Sequence, residues 1–269
     1  FWGVRAAAAT ALGAIGSDEA QDVLIKALQE LDATQFSRVR EAVANALGRF
    51  EAPQQVEQAR RSADALRAVL ERGDVSYRVE QAAAASLGKT RSEGAVDFLI
   101  GLIDRPTWMY FLQRGIFNGL AATGEDRVVD IMSGYLDNAG NYPLLRRAAA
   151  MGLGGVGRKA YLYSEEARQR AVTALSHAVE HDSWAPTRSA AALALMALGE
   201  KRAIGVLDSV ASQELDAGVQ RQERAAAHTL RSGDKSDEQL KELRKNLDEV
   251  REDNRKLREQ VDALEARVK

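Results

Sequence analysis

The sequence predicts an all-α fold: a solenoid of stacked helix pairs, followed by a C-terminal coiled-coil helix. Three observations predict it. A phrase ending in Leu-Gly recurs at near-regular intervals, apolar residues between its copies are spaced by three and four, and the closing segment keeps a strict heptad.

The phrase opens the chain as Val4-Arg5-Ala6 and closes at Leu12-Gly13. Echoes run from Val39 to Gly48, Val79 to Gly88, Leu112 to Ala121, Leu145 to Gly154, Arg188 to Gly199 and, weakly, Glu223 to Leu230. The anchor leucines Leu12, Leu47, Leu87, Leu120, Leu153, Leu195 and Leu230 are 35, 40, 33, 33, 42 and 35 residues apart. Amphipathic stretches such as Ser17 to Gln29, Ser92 to Ile103 and Glu125 to Leu136 fill the intervals. Ser17 and Ser92 stand where N-caps belong. Gly13, Gly48, Gly88, Gly154 and Gly199 stand where left-handed C-caps are expected. Pro106, Pro143 and Pro186 precede copies of the phrase, and Pro53 opens a helix of the other kind. Nothing reads as a strand.

A single helix pair cannot bury both its faces, whereas stacked pairs share a continuous core. Alanine-lined helices allow close approach, and leucine and valine fill the remaining space. The unit resembles a HEAT repeat in the wider sense. The expected organisation is a solenoid over residues 1–232, about seven repeats with the first truncated, then a linker and coil over residues 233–269. Because the first repeat lacks its partner helix, the chain is expected to be a piece of a longer polypeptide.

Each connection into a phrase helix carries an aspartate and then an aromatic: Asp32/Phe36, Asp74/Tyr77, Asp104/Trp108, Asp137/Tyr142 and Asp182/Trp184. An aromatic also stands four residues before the helix arginine, as in Phe1/Arg5, Phe36/Arg40, Tyr142/Arg146 and Trp184/Arg188. The aromatic can staple the start of the helix, with the arginine over its ring or paired to the next repeat's aspartate. Alternatively, the aromatics form a ladder along one rim that binds an extended peptide. The run Trp108, Met109, Tyr110 and Phe111 exceeds what stapling needs and is the candidate contact surface.

From Asp237 the composition changes to 10 acids and 9 bases in 33 residues. Leu240, Leu247, Asn254, Val261 and Val268 take heptad position a, and Leu243, Val250, Leu257 and Leu264 take position d. A lone asparagine at a favours a parallel homodimer, with these nine residues as its seam. The other possibility is one amphipathic helix folded back on the solenoid.

The bulk numbers narrow the functional classes. With 269 residues, 45% hydrophobic and 28% charged, the composition suits a soluble folded protein. A net charge of -2 gives no general attraction to nucleic acid or anionic membrane. No apolar run is long enough to span a bilayer. The chain has no cysteine, which fits a reducing compartment, and a cytoplasmic location is expected.

One short stretch, His177-Ala178-Val179-Glu180-His181, spells the H-x-x-E-H zinc motif. On a helical wheel, Ala171, Val172, Leu175, Ala178 and Val179 make the apolar face, and both histidines and Glu180 point away from it. An exposed pair without a cleft is expected. No P-loop, dinucleotide fingerprint or G-x-S-x-G is present. The chain is expected to have no catalytic or metal residue.

The wording of the repeats goes further than the period. FWGVRAAAATALG at 1–13, DVSYRVEQAAAASLG at 74–88, WMYFLQRGIFNGLAATGEDR at 108–127 and YPLLRRAAAMGLGGVG at 142–157 resemble the C-terminal helical-repeat region of long prokaryotic aminopeptidase N family zinc metallopeptidases. The resemblance spans most of residues 1–230 and excludes the tail. That family's H-E-x-x-H ligand motif and its Gly-x-Met-Glu-Asn segment are both missing from this sequence, so no catalytic residue carries over. The resemblance implies a zinc-bearing peptidase domain before Phe1, with zinc as that domain's cofactor and none in this chain. The repeats would then limit access to its cleft or mediate assembly. The partner would be that catalytic domain or a separate protein; the alternative is a free-standing HEAT adaptor dimerised by its coil.

Overall fold

In the computed structural model, residues 1–31, 36–52 and 54–233 are described; Asp32, Pro53 and the whole heptad segment, including all nine expected seam residues, lie outside them. Among the described residues there are helices and turns and no strand. The phrase helices are α1 (Trp2–Ile15), α3 (Ser37–Leu47), α5 (Tyr77–Thr90), α7 (Phe111–Thr123), α9 (Pro143–Gly157) and α11 (Ala185–Leu198). Between them lie α2 (Asp18–Glu30), α4 (Val56–Arg72), α6 (Ala95–Gly101), α8 (Arg127–Asp137), α10 (Glu165–His181) and α12 (Ile204–Gln213). A last helix, α13, covers residues 217–233.

Each phrase helix packs on the next: α1 on α3, α3 on α5, α5 on α7, α7 on α9 and α9 on α11. The alternate helices form a second layer, with α2 against α4, α8 against α10 and α10 against α12. This is an α-solenoid. One apolar core runs from Ala9 to Leu230, and six of the seven anchor leucines are buried in it. Leu12 is only partly covered.

Local chemistry sets several helix starts. The Ser17 hydroxyl accepts the Ala20 N–H at 3.2 Å, and the Ser164 hydroxyl accepts that of Ala167 at 3.1 Å. Acids follow each cap, Asp18 and Glu19 or Glu165 and Glu166, where the helix dipole favours them. Pro143 is the first residue of α9, where its missing N–H costs nothing. Ser92 does not cap α6. Gly94, at φ 70°, takes the N-cap position, and the Ser92 carbonyl instead accepts the Ala95 N–H at 3.2 Å.

The expected left-handed caps need correction. Only Gly199 is one, at φ 74°. Gly13, Gly88 and Gly154 lie inside their helices, and Gly48 has φ −70°. Their role is contact. A Cβ on Gly13 would lie 2.9 Å from Ala46, one on Gly48 2.8 Å from Ser86, and one on Gly154 2.8 Å from Ala194. On Gly88 it would lie 2.0 Å from the Gly119 carbonyl oxygen. The glycines that follow Leu12, Leu47, Leu87 and Leu153 let neighbouring phrase helices come into close contact.

A polar column runs through the stack. Seven residues before each anchor leucine stand Arg5, Arg40, Glu80, Gln113, Arg146, Arg188 and Glu223. Arg40 donates to both oxygens of Asp74, at 3.0 and 2.8 Å, and Arg146 to both of Asp182, at 2.7 and 3.0 Å. Arg188 does the same to Glu214, at 2.7 and 2.9 Å. Each acid also accepts a backbone N–H two residues on, from Ser76, Trp184 or Asp216, so it ties its own turn while holding the preceding repeat. Of the two readings of the phrase arginine, pairing with the next repeat's aspartate describes Arg40 and Arg146, while Arg188 finds a glutamate there instead. Arg5 instead lies over the Phe36 ring at 4.9 Å. In the third copy the signs are exchanged, and Glu80 accepts from Arg105 at 2.7 Å. The Arg188 hydrogen bonds hold the Glu214 carboxyl below its usual range. Glu223 is buried with both oxygens unpartnered among the described residues, and burial followed by the Glu214 charge pushes its pKa up to about 7.

Candidate functional site: an aromatic rim

The N-terminal ends of α5, α7 and α9 lie along one rim of the stack. Tyr77 opens α5, Tyr142 is the N-cap of α9, and a 3-10 turn over Trp108–Tyr110 leads into α7 at Phe111. The rings stack between repeats. Tyr77 and Trp108 have centroids 6.5 Å apart and planes 17° apart, and Trp108 and Phe111 follow at 5.8 Å and 8°. Tyr110 stacks on Tyr142 at 5.8 Å and 24°. Trp108 and Tyr142 nevertheless keep 62% of their surface exposed, and Met109 keeps 48%.

The backbone here is unusual. Met109 and Tyr110 are adjacent and both left-handed, at φ 51° and 56°. Each costs a non-glycine residue about 1–2 kcal/mol. Gln113 holds the connection that leads into the turn. It is buried, its amide donates to the carbonyls of Ile103 at 2.9 Å and Arg105 at 2.6 Å, and its oxygen accepts from the Thr107 hydroxyl at 2.7 Å. Gln113 stands in the arginine column, so this copy uses that position to hold its own loop instead of reaching the next repeat.

The structure therefore brings the four residues singled out from sequence, Trp108, Met109, Tyr110 and Phe111, into one turn, and adds Tyr77 and Tyr142 by stacking. Those two were visible in sequence only as members of the once-per-repeat pattern. Neither the left-handed pair nor the Gln113 clamp was foreseen. The signal for the clamp was a glutamine where most copies carry a charge.

The H-x-x-E-H stretch lies at the C-terminal end of α10. Ala171, Val172, Leu175, Ala178 and Val179 are buried, while His177, Glu180 and His181 are exposed. The two imidazoles meet edge-on at 4.7 Å, and His177 Nδ1 lies 3.5 Å from an Asp137 oxygen. Contrary to the expectation of no cleft, both line a shallow cavity of about 180 Å³ beside Asp137 and Asp182. Among the described residues, no three His, Asp or Glu side chains are grouped to hold a metal ion. No described helix is long and apolar enough to cross a membrane.

A sequence profile for HEAT repeats matches residues 1–78 and 28–115. The chain contains a HEAT-like repeat region. No curated protein matches it. Solved structures similar to the HEAT-like region include an engineered protein, at 18% identity and TM-score 0.43, over 79% of this chain and 97% of that one. A designed armadillo repeat protein in complex with the peptide (KR)4 is similar at 15% identity and TM-score 0.44, over 77% and 99% of the two chains. Human deoxyhypusine hydroxylase in complex with glycerol is similar at 15% identity and TM-score 0.34, over 83% and 88%.

Proposed function

We propose that this chain is a non-catalytic helical-repeat scaffold that holds a protein on its aromatic rim, as the C-terminal region of an aminopeptidase N-like zinc metallopeptidase. The observation that carries the binding role is the ring series Tyr77–Trp108–Phe111 and Tyr110–Tyr142, with Tyr77, Trp108 and Tyr142 exposed, around a turn whose Met109 and Tyr110 are left-handed. Core packing alone does not require a tryptophan 62% exposed. Large rigid rings at a rim are the side chains that supply binding energy at protein interfaces. Two left-handed residues persist only where the surroundings enforce them, and such places gather at functional surfaces.

The parent enzyme rests on the resemblance of the repeat phrases. In that setting the partner is the protein's own peptidase domain, the zinc belongs to that domain, and the HEAT-like region limits access to its cleft. Residues 237–269 would join two such chains through their heptad seam.

The experiment has two parts. The gene upstream of Phe1 should encode, in frame, H-E-x-x-H and its distant glutamate; a start codon immediately upstream overturns the parent. With that domain in hand, replacing Trp108 and Tyr142 by alanine should weaken its association with the HEAT-like region without lowering helix content. Unchanged association removes the aromatic rim as the contact.

A further inference from the structure

The opposite rim, where the phrase helices end, carries a different chemistry. Arg49 lies two residues past the end of α3, Lys89 lies in the last turn of α5, and Arg158 and Lys159 follow α9. The superhelix brings these ends together: Lys159 Nζ lies 3.3 Å from the Glu51 carboxylate, a contact across 108 residues of sequence. Beside them opens a cavity of about 570 Å³ whose lining includes Arg38, Glu41, Arg49, Glu51 and Lys89.

The charges in this cavity do not balance. Its two carboxylates are already engaged, Glu41 with Arg78 at 3.1 Å and Glu51 with Lys159 at 3.3 Å and Arg91 at 3.9 Å. Arg38 lies over the Trp2 ring and is paired with no carboxylate among the described residues. Arg49, Lys89 and Arg158 likewise have no carboxylate within ion-pair distance among them. Lys89 is half-buried. Burial lowers its pKa, Glu51 opposes that, and the positive charges of Arg158, Arg49 and Lys159 lower it further. The carbonyls at the ends of α3, α5 and α9 soften the repulsion, but they are fixed dipoles shared by every helix end and do not neutralise the group.

We infer that this cavity is a docking groove for an acidic peptide segment of a protein partner, whose carboxylates bind Arg38, Arg49 and Lys89. The length of the basic track favours a peptide over a compact anion. Arg38 and Arg49 stand at the two ends of α3, roughly 16 Å apart, a distance spanned by about five residues of extended chain. The inference rests on the scaffold reading above and names a second surface for it, running along α3 from Arg38 to the rim opposite the aromatics.

The test is fluorescence anisotropy on the full chain with a labelled octaglutamate peptide. A Gly/Ser peptide of equal length is the control. Octaglutamate should bind, weaken steeply with added salt, and lose about tenfold or more in affinity with Arg49→Glu or Lys89→Ala. Arg170→Ala, on the ion pair with Asp130 away from the groove, should leave binding unchanged. Thermal melts establish that each variant is folded. Four outcomes overturn the assignment: no binding of octaglutamate, equal binding by the groove variants, equal binding of the Gly/Ser peptide, or displacement by inorganic phosphate beyond its effect on ionic strength. If octaglutamate fails while the Trp108/Tyr142 double variant still loses the peptidase domain, only the groove falls and the scaffold reading stands.

Discussion

Arg40 and Asp74 meet through two parallel hydrogen bonds, Nε to Oδ2 at 3.0 Å and Nη2 to Oδ1 at 2.8 Å, with both side chains withdrawn from solvent. They belong to successive repeats, so the pair is a bolt across a repeat boundary. Removing one member leaves a buried charge without its partner. Arg40→Leu or Asp74→Leu should each cost about 3–5 kcal/mol. The double variant should cost clearly less than the sum. A double-mutant cycle by urea denaturation measures this, and simple additivity would show that the pair is not coupled.

The glycines divide into two kinds. Gly88→Ala would place a Cβ 2.0 Å from a backbone oxygen of α7, which has no rotamer to escape by. It should destabilise by about 3 kcal/mol or more. Gly134, inside α8, has nothing within 4 Å of the same hypothetical atom. Gly134→Ala should stabilise by about 0.5–1 kcal/mol. Thermal melts of the two variants side by side decide the point; a shift in the same direction for both would contradict the contact role of Gly88.

Glu223 should make stability depend on pH. Its folded pKa, about 7, lies above the ordinary carboxylate value of 4.5, so the native state holds a proton that the unfolded state releases. Stability contributed by the neutral acid is present below about pH 4.5 and declines as pH rises toward 7. Glu223→Gln should therefore raise the melting temperature at pH 8 and change it little at pH 4. The gain at pH 8 should be on the order of 2 kcal/mol. An equal shift at both pH values would assign the effect to packing.

His177→Ala should cost less than about 0.5 kcal/mol, since the imidazole sits on the outer face of α10. Chemical denaturation is sufficient to measure it. A loss of several kcal/mol would mean that the His177–His181 contact or the Asp137 contact carries more weight than its exposure suggests.

For the tail, sedimentation of the chain with and without residues 237–269 tests the homodimer. The full chain should sediment as a dimer at micromolar concentration and the shortened one as a monomer. Equal monomeric masses would reject the seam at Leu240, Leu243, Leu247, Val250, Asn254, Leu257, Val261, Leu264 and Val268.

The stack was legible from sequence where one property decides position. An anchor leucine is apolar, recurs, and has to face the core; Leu47, Leu87 and Leu195 do so. The apolar face of α10 followed from period alone. The glycines were misread because smallness in a sequence does not say what it makes room for. A C-cap and a backbone contact both ask for a missing Cβ, and only the position of α7 beside α5 separates them. The aromatic run was legible as a cluster because Trp108 to Phe111 are contiguous. The left-handed conformation of Met109 and Tyr110 was not, because no glycine or asparagine marks it; nor was the Gln113 clamp, whose partners Ile103, Arg105 and Thr107 lie up to ten positions away.

Stacks of similar units face an error that ordinary domains do not: a unit can dock against the wrong neighbour. The exchange of sign between Glu80 and Arg105 acts against it. An arginine phrase helix, such as α3, presents a cation to the connection that follows, and the connection after α5 presents one too. If α3 slid one unit along and met Arg105, the buried Arg40 would face a second, half-buried cation. The inverted pair thus works as an address, fixing which repeat is third and giving a nearly periodic chain one order of assembly.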